Sequence, residues 1–122
     1  MMRTLLIATG LLLAACQPLP PVDPGPGGPG PIPTSADACR DRGGHWGPQG
    51  LLGRDGCVLP YADAGKRCTD GDQCLGDCRA VESTSFPRPG QSATGQCQAN
   101  TSPFGCFTQV ENGKAEAALC VD

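Results

Sequence analysis

The sequence is poor in aromatic residues, and this scarcity limits the hydrophobic core that it can build. One Trp, one Tyr and three Phe make up 4% of its 122 residues. A small domain with so few large apolar side chains needs covalent cross-links to be stable. Its main apolar run, residues 5–15, is shorter than the roughly 20 residues that cross a bilayer. This run is therefore not a transmembrane helix.

Positive charge and histidine are also scarce. Residues 1–15 contain one charged residue, Arg3. The rest of the chain has 8 basic and 12 acidic residues, which gives a net charge of −4. An acidic chain without a basic stripe does not fit nucleic acid binding. His45 is the one histidine, and although Asp41 and Ser35 are near it in sequence, no nucleophile motif accompanies it. We interpret His45 as a packed or exposed strand residue, and we expect no enzyme, no catalytic residue and no cofactor.

Cysteine is abundant, and the first of nine cysteines stands apart from the rest. Residues 1–15 have the layout of a secretory signal, with Arg3 before an apolar stretch that ends in small residues. The motif Leu13-Ala14-Ala15-Cys16 follows and resembles the lipobox of bacterial lipoproteins at all four positions. The resemblance covers residues 1–16. It implies that Cys16 receives a diacylglycerol, that the chain is cut before Cys16, and that the new amine takes a fatty acid such as palmitate.

The resemblance also predicts where the protein resides. Two or more acyl chains give stable membrane anchoring. The alternative is an ordinary signal peptide with an incidental Cys16, which would leave an odd thiol in an exported protein. In the lipoprotein family an Asp after the lipidated Cys tends to retain the protein at the inner membrane. Gln17 stands there instead, so we expect a lipid-anchored protein of the bacterial cell envelope, at the outer membrane, with the periplasmic or surface side left open.

The segment after Cys16 is predicted to be a disordered tether. Residues 17–35 contain eight prolines and four glycines, a composition that cannot bury enough apolar surface to fold. Proline favours the extended polyproline II conformation, and glycine makes the backbone flexible between the prolines. A proline-rich ligand is the alternative, but Asp23 is the one charge in the segment. We divide the chain into a signal peptide (1–15), a lipidated Cys16 with its tether (16–35) and a folded domain (36–122).

The eight remaining cysteines predict a small disulfide-rich domain, mainly β, with short strands and one short N-terminal helix. Four bridges would each contribute on the order of 2–4 kcal/mol, and the exported compartment permits them. Zinc is the competing use, but Cys68, Cys74 and Cys78 lack the paired spacing of a four-cysteine site. We therefore predict no metal site.

Local sequence predicts two of the four bridges. Cys39 and Cys57 enclose one unit, in which Ser35 can cap a short helix that Gly43 ends, so we pair Cys39 with Cys57. Near the C-terminus, Asn112-Gly113 between two strand-like runs predicts a hairpin. A two-residue loop alone would place Cys106 and Cys120 on opposite faces, because side chains alternate along a strand. A Cys106–Cys120 bridge therefore requires an odd-length loop or a bulge.

The central cysteines are harder to pair, since eight cysteines allow 105 connectivities. We assign Cys68–Cys78 and Cys74–Cys97. The C-x5-C-x3-C run of Cys68, Cys74 and Cys78 loosely resembles small extracellular cysteine modules over about 14 residues. The region after Cys39 is similar to short repeats of uncharacterised bacterial lipoproteins. Neither resemblance implies an active site.

Two further features are candidate sites. Asp70, Asp72 and Asp77 could bind calcium, but the run lacks the terminal Glu and the ligand spacing of a calcium loop, so a turn is favoured. Residues 82–96 form a polar loop between two cysteines and contain Phe86 and Arg88. Such a loop could bind a partner.

These observations favour a lipid-anchored envelope protein that displays a small disulfide-rich binding or structural module. Its expected partners are the membrane and an envelope protein or glycan. The alternative is a secreted or surface protease inhibitor or toxin-like effector that acts through residues 82–96, with Phe86 and Arg88 as its contact residues.

Overall fold

The computed structural model describes residues 28–81 and 85–122. The predicted signal peptide, the lipobox with Cys16 and the first part of the tether lie outside the described residues. The described chain contains one α-helix, α1 (Ala36–Asp41), and a 3₁₀ helix at Gly71–Gln73. Its strands are β1 (His45–Gln49), β2 (Arg54–Val58), β3 (Arg67–Cys68), β4 (Cys78–Ala80), β5 (Gly95–Cys97), β6 (Gly105–Glu111) and β7 (Lys114–Val121). The predicted class, mainly β with one short N-terminal helix, is confirmed.

The N-terminal unit consists of α1 and the antiparallel hairpin β1–β2. The Ser35 hydroxyl caps α1 by accepting a hydrogen bond from the Ala38 amide at 3.4 Å, and Gly43 follows at a φ of 72°. This left-handed conformation is one that glycine adopts at little cost. Trp46 pairs with Cys57 across the hairpin and packs on a small core of Cys39, Cys57 and Leu59. The Cys39–Cys57 bridge therefore fastens the helix to the hairpin.

The remaining strands form one five-stranded sheet in the order β3-β5-β4-β6-β7. Its core is built largely from half-cystines: Cys68, Cys78 and Cys97 are buried together with Val110, and Cys74, Ala80 and Ala93 pack against them. The bridges Cys68–Cys78 and Cys74–Cys97 are both present. Disulfide sulfur thus supplies apolar volume that the sequence does not provide as large side chains.

The β6–β7 hairpin has a two-residue turn at Asn112-Gly113, with φ of 51° and 72°. Glu111 pairs with Lys114, yet Cys106 pairs with Cys120. A register shift between Thr108 and Val110 reconciles the two pairings. Two β7 residues, Glu116 and Ala117, lie opposite Gln109 alone. This extra residue shifts the rest of β7 by one position, so that Cys120 lies on the same face of the hairpin as Cys106. The Cys106–Cys120 bridge and the bulge it required are confirmed.

A short contact joins the two units. The Leu59 amide donates to Thr101 Oγ1 at 3.0 Å, and the Thr101 amide donates to the Leu59 carbonyl at 2.9 Å. The Tyr61 amide donates to the Ala99 carbonyl at 3.0 Å. These bonds hold residues 101–104 beside the N-terminal hairpin, and that position creates the cleft described next.

Candidate binding cleft

A cleft of about 630 Å³ lies beside the N-terminal hairpin. This volume is in the range of small-molecule sites, about 300–1,000 Å³. The hairpin forms one wall, residues 32–34 form the second, and residues 101–104 with Asp122 form the third. The site therefore draws on three segments that are far apart in sequence.

Two aromatic rings line the cleft, and the fold fixes both. Trp46 is half-buried, because it also packs on the Cys39–Cys57 core. Phe104 lies against Gly50, where an added Cβ would be 2.6 Å from the ring. Gly50 has a φ of 61°, so it allows both the turn and the close approach of the ring. Trp46 and Phe104 thus offer aromatic surface that is held in place before any ligand arrives.

Polar side chains also line the cleft. Gln49, Arg54 and Asp55 come from the hairpin, and Asp122 comes from the end of β7. Arg54 and Asp55 are exposed, while Gln49 is half-buried and donates to the Gly47 carbonyl at 3.2 Å. A ligand in the cleft would therefore meet aromatic faces together with hydrogen-bonding groups of both kinds.

The end of the predicted tether forms the second wall. Ile32, Pro33 and Thr34 line the cleft, and the Arg42 guanidinium donates a hydrogen bond to the Pro31 carbonyl. Residues 31–34 therefore lie against the domain, although they share the proline-rich composition of the tether. The first described residues of the chain therefore meet the domain at the cleft.

The loop predicted at residues 82–96 is the second candidate site. Its last two residues, Gly95 and Gln96, belong to strand β5. A turn at residues 88–91 closes with a Gln91 amide to Arg88 carbonyl bond of 3.0 Å. Pro89 and Gly90, at a φ of 80°, occupy the two central positions of a type II turn. The Gly90 amide then donates to the Ala115 carbonyl, and the Ala115 amide donates to the Gln91 carbonyl, each at 2.8 Å. Strand β7 thus holds this loop on one side.

Both residues that the sequence singled out in this loop are exposed. Phe86 is 40% exposed, and Arg88, the first residue of the turn, is also exposed. Residues 82–84 of the loop lie outside the described part of the chain. The loop and the cleft share no lining residue, so they are separate candidate surfaces.

Two of the three aspartates considered for calcium, Asp70 and Asp77, have other partners. Asp70 accepts hydrogen bonds from the amides of Asp72 at 3.0 Å and Asn112 at 2.9 Å. These backbone bonds stabilise the carboxylate and hold the pKa of Asp70 below its ordinary value. Asp77 pairs with Arg79 at 3.1 Å. Asp70 therefore ties the 3₁₀ helix to the β6–β7 turn, as the turn interpretation expects.

His45 and the central cysteines complete the inventory of reactive groups. His45 is exposed on β1. The sulfurs of Cys68, Cys74 and Cys78 lie within 4.8 Å of one another, and each belongs to a bridge. A sulfur in a disulfide has no thiolate to offer a metal. Their proximity thus reflects two stacked disulfides.

The sequence did not point to the cleft. Trp46 and Phe104 are 58 positions apart, and no motif in the sequence connects them. One feature of the sequence could have indicated the site. Phe104 stands between Pro103 and Gly105 in a turn-like segment, where a bulky aromatic side chain is not buried by a strand and is available to line a cleft.

Comparison of the chain with protein-family models, with curated proteins and with solved structures finds no match. Within residues 28–81 and 85–122, no helix is long and apolar enough to cross a membrane.

Proposed function

We propose that this chain is a lipid-anchored protein of the bacterial cell envelope whose disulfide-rich domain binds a ligand in the cleft. The observation that carries the binding role is the cleft itself, with the rings of Trp46 and Phe104 and the polar groups of Arg54 and Asp55 in one concave site. Concave sites that combine apolar area with a few polar groups are the usual form of ligand sites. The lipobox ending at Cys16 supports the anchor.

The position of the cleft fits attachment at a membrane. Eleven residues lie between Cys16 and Gly28, where the described chain begins. Even fully extended, they would span at most about 40 Å. Residues 32–34 form a wall of the cleft. The distance from the lipid to the cleft is therefore at most this length plus the few residues between Gly28 and that wall. The proposed ligand is therefore a component of the envelope close to the anchoring membrane.

The lining of the cleft favours a glycan as this ligand. The C–H face of a sugar ring packs on aromatic rings such as Trp46 and Phe104. Its hydroxyl groups can donate to the carboxylates of Asp55 and Asp122 and accept from Arg54. With two acidic side chains and one basic side chain among these polar residues, the cleft does not favour a strongly acidic ligand. A peptide with an aromatic or aliphatic side chain is the competing occupant.

The single tryptophan provides a direct test, because all Trp emission comes from the cleft. The mature chain in detergent is titrated with soluble fragments of envelope glycans, and we expect a saturable change in Trp46 fluorescence. Leu51 and Leu52 supply a matched pair of variants, since they are 82% and 80% exposed but only Leu52 lines the cleft. Leu52→Ala should weaken binding, and Leu51→Ala should not.

Three outcomes of this titration carry information. A saturable response that Leu52→Ala weakens supports the glycan site. A response only to envelope peptides would replace the glycan with a peptide ligand in the same cleft. No response to either class, or an equal effect of both leucine variants, would overturn the cleft as the binding site.

The anchor is tested separately by mass spectrometry of the N-terminal peptide. We expect the chain to begin at Cys16 and to carry the mass of a diacylglycerol and an amide-linked fatty acid. Cys16→Ser should move the protein from the membrane fraction to the soluble envelope fraction. An unmodified Cys16, or a membrane location that survives the substitution, would reject the lipid anchor.

One observation favours the second candidate, a protease inhibitor. Hydrogen bonds to β7 and the turn at residues 88–91 hold part of the loop that exposes Phe86 and Arg88. A constrained exposed loop is a common way to present a peptide to a protease, and Pro89 would hinder cleavage after Arg88. The test is inhibition of trypsin-like and chymotrypsin-like proteases by the unmodified protein, with Arg88→Ala and Phe86→Ala as variants. No inhibition removes this candidate.

A further inference from the structure

The four disulfides differ sharply in exposure. Cys39, Cys68, Cys78 and Cys97 are each at most 3% exposed, so three of the bridges contain at least one deeply buried residue. Cys106 and Cys120 are both exposed. We therefore expect a dithiol to reach this bridge in the folded protein more readily than the other bridges, which must first open with part of the core.

The exposed bridge also adjoins the cleft through both of its chains. Phe104 precedes Cys106 by two residues, and Asp122 follows Cys120 by two residues. Both Phe104 and Asp122 line the cleft. Gly105, between Phe104 and Cys106, has a φ of 104°, and the chain turns there from strand β6 into the cleft wall. The covalent bond between the strands thus holds the third wall of the cleft together at its base.

The rest of the hairpin does not depend on this bond. Near the turn, Glu111 pairs with Lys114 and Val110 pairs with Ala115, and both Val110 and Ala115 are buried. Loss of the bridge would leave the end of the hairpin next to the cleft held by backbone pairing alone, Gly105 with Val121 and Phe107 with Leu119. Leu119 and Val121 are exposed there, so this end would loosen before the turn end does.

We propose that the Cys106–Cys120 bridge is a redox-modification site, opened by a protein dithiol of the envelope, and that its reduction loosens the cleft wall formed by Phe104 and Asp122. One thiolate of the dithiol attacks one sulfur of the bridge, the bond between the sulfurs of Cys106 and Cys120 breaks, and a mixed disulfide forms. The second thiol of the dithiol then displaces the attacked cysteine. Two electrons and two protons pass to Cys106 and Cys120, and the dithiol leaves as a disulfide.

This inference deepens the proposed function, because it concerns regulation of the same cleft, but its first tests use no ligand. The folded mature protein is treated with a limiting amount of dithiothreitol, alkylated, and mapped by mass spectrometry. We expect Cys106 and Cys120 to be labelled first and the three other bridges to be reduced at least about tenfold more slowly, since they open only with the core. Simultaneous labelling of all bridges, or earlier labelling of another, would overturn the site.

The effect on the cleft is measured by acrylamide quenching of Trp46 in the oxidised and the selectively reduced protein. We expect stronger quenching after reduction. The variant with both Cys106→Ala and Cys120→Ala should show the strong quenching without dithiothreitol and no further change with it. If quenching is unchanged in the reduced protein, the coupling between the bridge and the cleft is rejected. This comparison uses the unsubstituted protein, so it remains valid even if the double variant does not fold.

Ligand binding then separates the two proposals. If a glycan binds the oxidised protein more tightly than the reduced protein, both stand. If it binds both forms equally, the cleft remains the binding site and the redox coupling is rejected. If no glycan binds but reduction still alters the quenching of Trp46, the proposed ligand is rejected and the redox site stands.

Discussion

Removal of a buried bridge should cost more stability than removal of the exposed one, although loop length predicts the reverse. The two bridges to compare are Cys68–Cys78, which closes a sequence separation of 10, and Cys106–Cys120, which closes 14. Loop-closure entropy assigns about 2.7 kcal/mol to the first and about 3.0 kcal/mol to the second. Chain entropy alone therefore ranks the exposed bridge slightly higher.

Burial reverses this order. Cys68 and Cys78 are 2% and 1% exposed, so replacing both with alanine also removes two buried sulfurs and leaves a cavity. Each removed sulfur should cost about 1 kcal/mol, the order of a buried methylene with its cavity. The pair Cys68→Ala with Cys78→Ala should lose about 5 kcal/mol. The pair Cys106→Ala with Cys120→Ala should lose about 3 kcal/mol.

Urea unfolding of the two double variants under non-reducing conditions measures this difference. Double replacement leaves no odd thiol that could exchange with the remaining bridges. Small domains are stable by about 5–15 kcal/mol, so a buried-pair variant that is already unfolded without urea would satisfy the same inequality. If the exposed-pair variant loses as much free energy of unfolding as the buried-pair variant, or more, then the buried disulfide sulfurs do not contribute to the core as argued.

Three more predictions concern single residues. The low pKa of folded Asp70 means that its contribution to stability is present above the unfolded pKa near 4 and is lost as the pH falls through the folded pKa. Asp70→Asn should therefore lower the urea midpoint at pH 7, and this effect should become smaller as the pH falls below about 4; an effect that does not change with pH would contradict the assignment. Thr108 is 1% exposed, and its hydroxyl has no hydrogen-bond partner within the described residues, so Thr108→Val should leave stability unchanged or raise it by about 1 kcal/mol; a loss above that size would disprove the unpaired hydroxyl. Gly50→Ala should destabilise more than Gly53→Ala, because both glycines have a φ near 60° but only Gly50 contacts Phe104; equal shifts in thermal midpoint would show that the ring contact is unimportant.

Local sequence was informative wherever neighbouring residues decide the structure. Ser35 and Gly43 mark the two ends of α1, and Asn112-Gly113 marks the β6–β7 turn, because caps and turns depend on the conformations that a few residues allow. Because side chains alternate along a strand, the Cys106–Cys120 bridge required either an odd-length loop or a bulge. The structure met this requirement with an extra residue in β7.

The central pairing depended on a different kind of information. Spacing does not determine how Cys68, Cys74, Cys78 and Cys97 connect, because the choice depends on which strands become neighbours. In the structure β5 lies between β3 and β4, and this order brings all four cysteines into one core.

The sequence by itself determined the lipobox pattern, the proline-rich segment, the α1 caps and the hairpin turn, because each depends on residues within a short distance along the chain. Only the tertiary structure decided the cleft, because Trp46, Ile32, Phe104 and Asp122 meet there from separate segments. It also decided that three bridges are held in the interior while Cys106–Cys120 is open to solvent. Exposure depends on which face of a strand other parts of the fold cover: Cys68 is buried although β3 is an edge strand, and Cys106 is exposed although β6 is an inner strand. The order of residues along the chain does not contain that information.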